Sequence, residues 1–126
     1  MSVWAVRSLA FPSGIPAAWS RLESIYPPRP GRRFYGLTRV ENGREVYYAA
    51  VEQQTVAGGS PGRLLSLEVD GGRYARVKLF DWPEHTERIA GIFAELESAY
   101  PVRPGGFFIE FYRSRRELQL LVPIGE

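Results

Sequence analysis

The chain has 126 residues, of which 44% are hydrophobic and 24% charged, values typical of one soluble domain with its own core. It has no cysteine and one histidine, which excludes disulfides, zinc fingers, iron–sulfur sites and thiol nucleophiles, so we expect no metal and no other cofactor. The net charge of +2 is too small to predict direct nucleic-acid binding. The sequence has no apolar run of roughly 18 residues and no signal peptide, which predicts a cytoplasmic protein without membrane contact.

The first half of the chain predicts a strand, a helix and a hairpin. An apolar strand covers residues 3–11, and Ser13 is a suitable cap for the helix that follows. The helix ends before Pro27, because the residue before a proline is forced out of the helical region. Its apolar residues recur at helical spacing: Ile15, Ala18, Trp19, Leu22, Ile25 and Tyr26. Two strands, residues 33–40 and 44–53, then flank Glu41-Asn42-Gly43, and Asn-Gly is the strongest short signal for a hairpin.

The second half predicts the same order. The segment 58–62 (GGSPG) is linker-like, and residues 64–69 (LLSLEV) form an extended lead-in to a strand at 73–80. Asp81 and Glu84 have the spacing of a capping box, and Pro101 ends the helix that they would start. The apolar positions of this helix are Ile89, Ile92, Phe93, Leu96, Ala99 and Tyr100. Strands at 106–112 and 117–124 form the closing hairpin.

A sequence repeat links the two halves. Residues 22–31 read LESIYPPRPG and residues 96–105 read LESAYPVRPG, with eight of ten positions identical at an offset of 74. We therefore predict one domain, residues 1–126, with internal repeats at about 1–55 and 64–126. The predicted fold class is α+β: duplicated β-α-β-β units with pseudo-twofold symmetry, an antiparallel sheet, two helices and a central groove.

One acidic residue lies at an unusual position in this pattern. Because side chains alternate along a strand, Phe108, Glu110 and Tyr112 share one face of the strand at 106–112. Phe107, Ile109 and Phe111 share the other, all-apolar face, which we expect to pack under the helices. At the repeat offset Glu110 corresponds to Gly36, so one half of the groove carries a carboxylate where the other half leaves space.

Aromatic residues make up 13% of the chain, more than a core of this size needs, and we expect some of them to line a ligand site around Glu110. A carboxylate among rings is stable either as the neutral acid or opposite a cation. The alternative is that Glu110 faces solvent or pairs with an arginine. Arg29 and Arg103 are expected near helix ends, and Arg32, Arg113 and Arg115 on a solvated surface. The candidate ligand-binding residues are Glu110, Tyr112, Phe108, Tyr35, Gly36, Tyr47, Tyr48, Trp19, Phe93 and Trp82.

Several of these residues lie in motifs that resemble the GyrI-like, or effector-binding, domain family. The similar segments are Gly72-Arg73-Tyr74-Ala75, Glu110-Phe111-Tyr112, Val122-Pro123-Ile124 and, in the first half, Tyr35-Gly36 with the strand from Tyr47 to Glu52. The resemblance implies a duplicated β-α-β-β fold with a ligand groove between its halves. In drug-sensing members of the family, the acid of the Glu-x-Tyr motif meets bulky, often cationic, aromatic ligands, and Glu110 and Tyr112 take those positions.

Three functions follow as expectations. The first is a stand-alone small-molecule-binding protein, resembling the effector-binding domains of multidrug-responsive transcription regulators, whose partner is a hydrophobic aromatic molecule with or without a positive charge. The second is a hydrolase that detoxifies reactive cyclopropane-type genotoxins, with Glu110 as its catalytic acid–base residue. The third is a protein-interaction inhibitor that uses the outer surface. Because the domain begins close to Met1, no helix-turn-helix unit is expected before it.

Overall fold

A computed structural model describes residues 1–58 and 64–125. Within these residues the chain forms seven strands and two helices, so the predicted α+β class is confirmed, and every strand pairing is antiparallel. The elements in chain order are β1 (Ser2–Arg7), α1 (Ile15–Ile25), β2 (Phe34–Glu41), β3 (Arg44–Glu52), β4 (Leu65–Glu68), β5 (Tyr74–Phe80), α2 (Ile89–Ala99), β6 (Phe108–Tyr112) and β7 (Glu117–Pro123).

The strands form one sheet in the order β4-β1-β3-β2-β6-β7-β5. The β2–β3 hairpin turns through Asn42 and Gly43, whose φ angles of 52° and 77° are those that a two-residue hairpin turn requires. Each predicted hairpin is present, and the two meet where β2 pairs with β6 at the centre of the sheet. The duplication and its pseudo-twofold symmetry stay predictions from the sequence.

The sheet is strongly curved. Its edge strands, β4 and β5, are joined by only five residues, 69–73. Such a connection spans at most about 20 Å, whereas the edges of a flat seven-stranded sheet lie about 29 Å apart. Leu67 of β4 and Tyr74 of β5 also pack against the same apolar cluster. The edges therefore bend toward each other, and one face of the sheet is concave.

The concave face forms its own core, and this overturns one expectation. Phe107 and Ile109 are buried there against Val3, Leu37 and other strand residues, and neither helix contributes to the cluster. The prediction that the all-apolar face of β6 packs under the helices was therefore wrong. Curvature lets the apolar side chains of this face bury one another, so no helix is needed to cover them.

Both helices lie on the opposite, convex face. Leu22 of α1 packs with residues of β1 and β3, and Leu96 of α2 packs with residues of β5 and β7. Since a helix is about 10 Å wide and strands are about 4.8 Å apart, each helix covers roughly two strands. The central strands β2 and β6 are left uncovered between them. Neither helix in the described part of the chain is long and apolar enough to span a membrane.

The predicted helix starts were wrong, although the apolar stripes were placed correctly apart from Ala99 and Tyr100, which are exposed. Helix α1 begins after Gly14, and Ser13 makes no capping hydrogen bond. Gly14 is required because a Cβ there would lie 2.6 Å from Ser8 Oγ and 2.7 Å from the Ala10 carbonyl. Asp81 adopts a left-handed conformation with φ 55°, incompatible with a helix cap, and its N–H donates to the Arg116 carbonyl at 2.6 Å. Two 3₁₀ turns, Trp82–Glu84 and Thr86–Arg88, then precede α2.

One segment, residues 64–69, and one side chain, Tyr100, also differ from expectation, whereas the linker prediction stays untested. Residues 64–69 do not lead directly into the strand at 73–80; they form β4, which pairs with β1 at the far edge of the sheet from β5. Of the linker 58–62, Gly58 has a positive φ of 88°, and positions 59–62 lie outside the described residues. Tyr100 was expected in the core, but 45% of it is exposed, whereas Tyr26, at the equivalent place after α1, is buried.

Leu22 is expected to be the main anchor of α1 because it is fully buried between that helix and the sheet. We predict that Leu22→Ala lowers the free energy of unfolding by about 2–5 kcal/mol, measured by urea denaturation. The control is Arg21→Ala, an exposed position of the same helix, where a change within about 0.5 kcal/mol is expected. Equal losses in the two variants would contradict the packing described here.

Candidate functional site

The candidate site is the groove between α1 and α2, with β2 and β6 as its floor. In the sheet register Gly36 lies directly opposite Glu110, and Phe34 opposite Tyr112. The sequence offset had already matched Gly36 with Glu110, and the structure places the two in direct cross-strand contact. A Cβ on Gly36 would collide with Glu110 Oε1 and the Tyr47 hydroxyl. Glycine is therefore needed here for the space that it leaves, since its φ is ordinary.

Hydrogen bonds join the acid to two tyrosines, and one of these tyrosines to Trp19. The Tyr112 hydroxyl donates to Glu110 Oε1 at 3.0 Å, and the Tyr47 hydroxyl donates to the same oxygen at 3.2 Å. The indole N–H of Trp19 donates to the Tyr47 oxygen at 2.9 Å. These donors come from α1, β3 and β6, so the tertiary fold assembles the network. The second carboxylate oxygen, Oε2, accepts no hydrogen bond from the described residues.

Burial determines the protonation behaviour of this cluster. Burial raises the pKa of Glu110, and the hydrogen bonds from Tyr112 and Tyr47 oppose this effect only in part. Burial, followed by the negative charge of Glu110, also raises the pKa of the Tyr47 and Tyr112 hydroxyls. The phenols therefore stay protonated and act as donors to the carboxylate. No arginine, lysine or histidine in the described residues forms an ion pair with Glu110.

Tyr112 also lies at the centre of an aromatic cluster. The Trp19 and Trp82 rings meet it edge-on, with centroids at 5.3 and 5.2 Å, so its ring is held between two indoles. Phe93 of α2 packs against Phe108 of β6 at 5.7 Å. Edge-to-face pairs of this kind contribute about 0.5–1.5 kcal/mol each beyond the area that they bury. The rings thus hold the Tyr112 hydroxyl in position against Glu110.

Two hollows lie along this groove, and Tyr112 lines both. The acid compartment, of about 880 Å³, is lined by Glu110 and Phe108 of β6, Tyr47 of β3 and Phe93 of α2. The arginine compartment, of about 760 Å³, is bounded by aromatic rings and a charged rim. Its residues are Trp19, Phe34, Trp82 and Tyr112, with Arg29, Arg32, Arg113, Arg115 and Glu23. Both volumes are in the range of small-molecule sites.

Two predicted site residues are not in the groove. Tyr35 and Tyr48 lie on the concave face, where Tyr35 stacks on Phe111 at 4.9 Å and Tyr48 meets Phe107 edge-on at 6.0 Å. Burial, followed by the charge of Glu52, raises the pKa of Tyr35 to about 12. The reason for the error is strand alternation: Tyr48 must point away from the face that Tyr47 occupies. The other eight candidates lie in or beside the groove.

Sequence reasoning missed the arginine rim. Arg29 and Arg32 follow α1, whereas Arg113 and Arg115 follow β6, and the chain brings them to one hollow because Phe34 and Tyr112 are cross-strand neighbours. Arg103, expected at a helix end, instead donates to the Arg73 and Ile124 carbonyls at 3.2 and 3.1 Å. No local motif predicts the rim. Only the pairing of β2 with β6, the strands that adjoin these loops, indicates it.

A metal site has no support in the described residues, where no three histidine, cysteine, aspartate or glutamate side chains cluster. The arrangement around Glu110 instead offers its carboxylate, two phenol hydroxyls and several half-buried rings, in a hollow whose lining also includes Arg39, Glu45, Glu97 and Arg103. Such a set can bind a cation by charge and by ring quadrupole, or an aromatic body by stacking. It can also move a proton to or from a ligand atom in the groove.

Comparison with known proteins supports the fold. An integron cassette protein from the mobile metagenome of Vibrio cholerae has a similar structure, with a TM-score of 0.65 over 99% of this chain and 90% of that one. The two sequences are 15% identical, so the likeness shows the shared fold alone. No protein-family model matches this sequence, and no curated protein matches it significantly.

The contact between Gly36 and the acid can be tested by adding one methyl group. We predict that Gly36→Ala lowers the free energy of unfolding by about 1–3 kcal/mol, because Glu110 and Tyr47 must both shift. In the background of Tyr47→Phe the cost should fall by about 0.5 kcal/mol or more, since one colliding atom is gone. The control, Gly91→Ala, lies in α2 with nothing near its Cβ and should stabilise the protein by about 0.5–1 kcal/mol. A neutral Gly36→Ala change would contradict the close approach.

The raised pKa of Glu110 predicts a pH-dependent stability. The folded protein binds this proton more tightly than the unfolded chain, so Glu110 lowers stability as pH rises from its ordinary pKa through the folded value. The free energy of unfolding of Glu110→Gln, relative to that of the parent protein, should therefore increase as the pH rises from 4.5 to 7.5. Urea denaturation at each pH measures this difference.

Glu41→Gln is the control of opposite sign. A hydrogen bond from Arg39, followed by one from Tyr48, lowers the pKa of Glu41. The parent protein should therefore be more stable than this variant at neutral pH, and the difference should shrink as pH falls through the folded pKa. A stability difference between Glu110→Gln and the parent that does not change with pH would refute the assignment for Glu110.

Proposed function

We propose that this protein binds a hydrophobic aromatic small molecule in the groove between its two helices, with Glu110 as the partner for a positive charge on the ligand. The observation that carries this proposal is a partly buried carboxylate among rings, with two phenol donors on one oxygen and no ion pair to a cationic side chain of residues 1–58 or 64–125. A carboxylate in such surroundings gains a favourable partner when a cation enters.

The aromatic walls support the same ligand class. Trp19 and Tyr112 present ring faces and edges beside the acid, and Phe93 and Phe108 line the acid compartment. A cation near such rings gains about 0.5–2 kcal/mol from the ring quadrupole, more when water is excluded. An aromatic cation would therefore combine two attractive contributions at this position.

We also propose that the chain is a GyrI-like, effector-binding domain. Glu110 and Tyr112, which occupy the positions of the family's Glu-x-Tyr motif, both line the groove. The seven-stranded sheet with two helices on one face is in keeping with this family resemblance.

Cation binding can be tested with trimethyl-2-naphthylammonium and isothermal titration calorimetry. We expect Glu110→Gln to weaken binding about tenfold or more, a loss of about 1.4 kcal/mol, because the buried charge partner is removed. The matched control is Glu97→Gln, an exposed carboxylate on the wall of the same compartment, for which a change below about twofold is expected. Equal effects of the two variants would indicate general attraction by negative charge and would remove Glu110 from the proposal.

Hydrolysis is the second candidate function, and one specific observation favours it. A carboxyl group with a raised pKa lies beside two protonated phenols, so Glu110 could take a proton from water while a tyrosine donates one to the leaving atom. A strained three-membered ring such as styrene oxide is a suitable probe, since hydrolysis adds one water and opens one C–O bond. Diol formation that is faster with the parent protein than with Glu110→Gln would favour the enzyme, and equal rates would favour binding alone.

A further inference from the structure

The arginine compartment has a charge balance unlike that of the whole chain. Four arginines and one glutamate line it, whereas the complete sequence has 16 basic and 14 acidic residues. The basic side chains come from two loops, one after α1 and one after β6. Four guanidinium groups around one hollow repel one another and create a local positive potential, which an anion would neutralise.

Two of these arginines are free to meet a ligand. Arg32 donates to the Pro27 carbonyl at 2.6 Å and lies over the Tyr26 ring, and Arg113 lies 3.9 Å from Glu117. By contrast, Arg29 and Arg115 are exposed, and their guanidinium groups form neither hydrogen bonds nor ion pairs with the described residues. A guanidinium presents donors in a planar fork that matches the oxygens of a carboxylate, sulfonate or phosphate.

The walls of the same hollow are aromatic. The Tyr112 ring contacts both Trp19 and Trp82. The ring centroids of Phe34 and Trp19 lie 6.2 Å apart. A ring lying against these walls would hold a substituent near the mouth, where Arg29 and Arg115 are. The combination of ring walls and a guanidinium rim in a hollow of about 760 Å³ therefore suits one small aromatic anion.

We propose that the arginine compartment binds an aromatic ligand that carries an oxyanion, with Arg29 and Arg115 as its charge partners. Together with the acid compartment, this gives the groove one end that prefers cations and one end that prefers anions. Tyr112 lines both ends. A ligand with a cationic group and an anionic group on one aromatic framework would use both ends. This inference rests on the proposed function, because it assumes that the groove is the ligand site, but it depends on different residues.

The test uses isothermal titration calorimetry with 2-naphthalenesulfonate, 2-naphthoate and 2-naphthyl phosphate at low salt. We expect all three to bind, and Arg29→Gln/Arg115→Gln to weaken each about tenfold while binding of trimethyl-2-naphthylammonium does not fall. The order of the three affinities would identify the oxyanion as sulfonate, carboxylate or phosphate. Because both side chains are exposed, the variant should keep the melting temperature of the parent protein.

The matched control is Arg73→Gln/Arg76→Gln, which removes two exposed positive charges next to and within β5. We expect it to change anion binding by less than about twofold, since surface charges far from the ligand are screened by salt. Equal weakening in the two double variants, no weakening in Arg29→Gln/Arg115→Gln, or no binding of any anion to the parent protein would overturn the inference. The proposed function fails separately, if Glu110→Gln leaves cation binding unchanged.

Discussion

The arrangement of this molecule depends on one carboxylate that lies opposite a glycine at the centre of a sheet. Glu110 can occupy the middle of an apolar groove because Gly36 leaves the space and because two tyrosine hydroxyls donate to the same oxygen. Partial burial without hydrogen bonds would cost several kcal/mol for an ionised acid. The tyrosines reduce that cost without neutralising the charge, and this leaves Glu110 able to meet a further partner.

Curvature of the sheet explains why the groove is open. The concave face buries its apolar residues among themselves, so both helices are used on the convex face. Two helices cannot cover seven strands, and of the strands that they leave uncovered the central pair, β2 and β6, carries the acid. The site is thus the part of the sheet that the helices leave exposed, and its walls are the helix residues Trp19 and Phe93.

Local chemistry predicted those features whose cause is local. Asn42 and Gly43 form the expected hairpin turn, and the apolar stripe of α1 and the stripe of α2 from Ile89 to Leu96 lie where their spacing indicates. The predicted helix starts at Ser13 and Asp81 were wrong. The loop before Gly14 folds back on itself, and the Asp81 N–H donates to the Arg116 carbonyl, so tertiary contacts override the capping preference at both places. The prediction that Tyr35 and Tyr48 line the groove was wrong. An aromatic composition does not indicate which face of a strand lies toward the groove.

The sequence by itself determined the order of the helices and of the strands other than β4, the hairpins, and the correspondence of Gly36 with Glu110, because these depend on periodicity, turn chemistry and an internal repeat. Tertiary structure alone decided which face of the sheet the helices cover, since that choice follows from curvature. It also brought Tyr47, Tyr112 and Trp19 into one hydrogen-bonded group around the acid, and the arginines of two distant loops to one hollow. Contacts of this kind join residues far apart in the chain, and no local pattern encodes them.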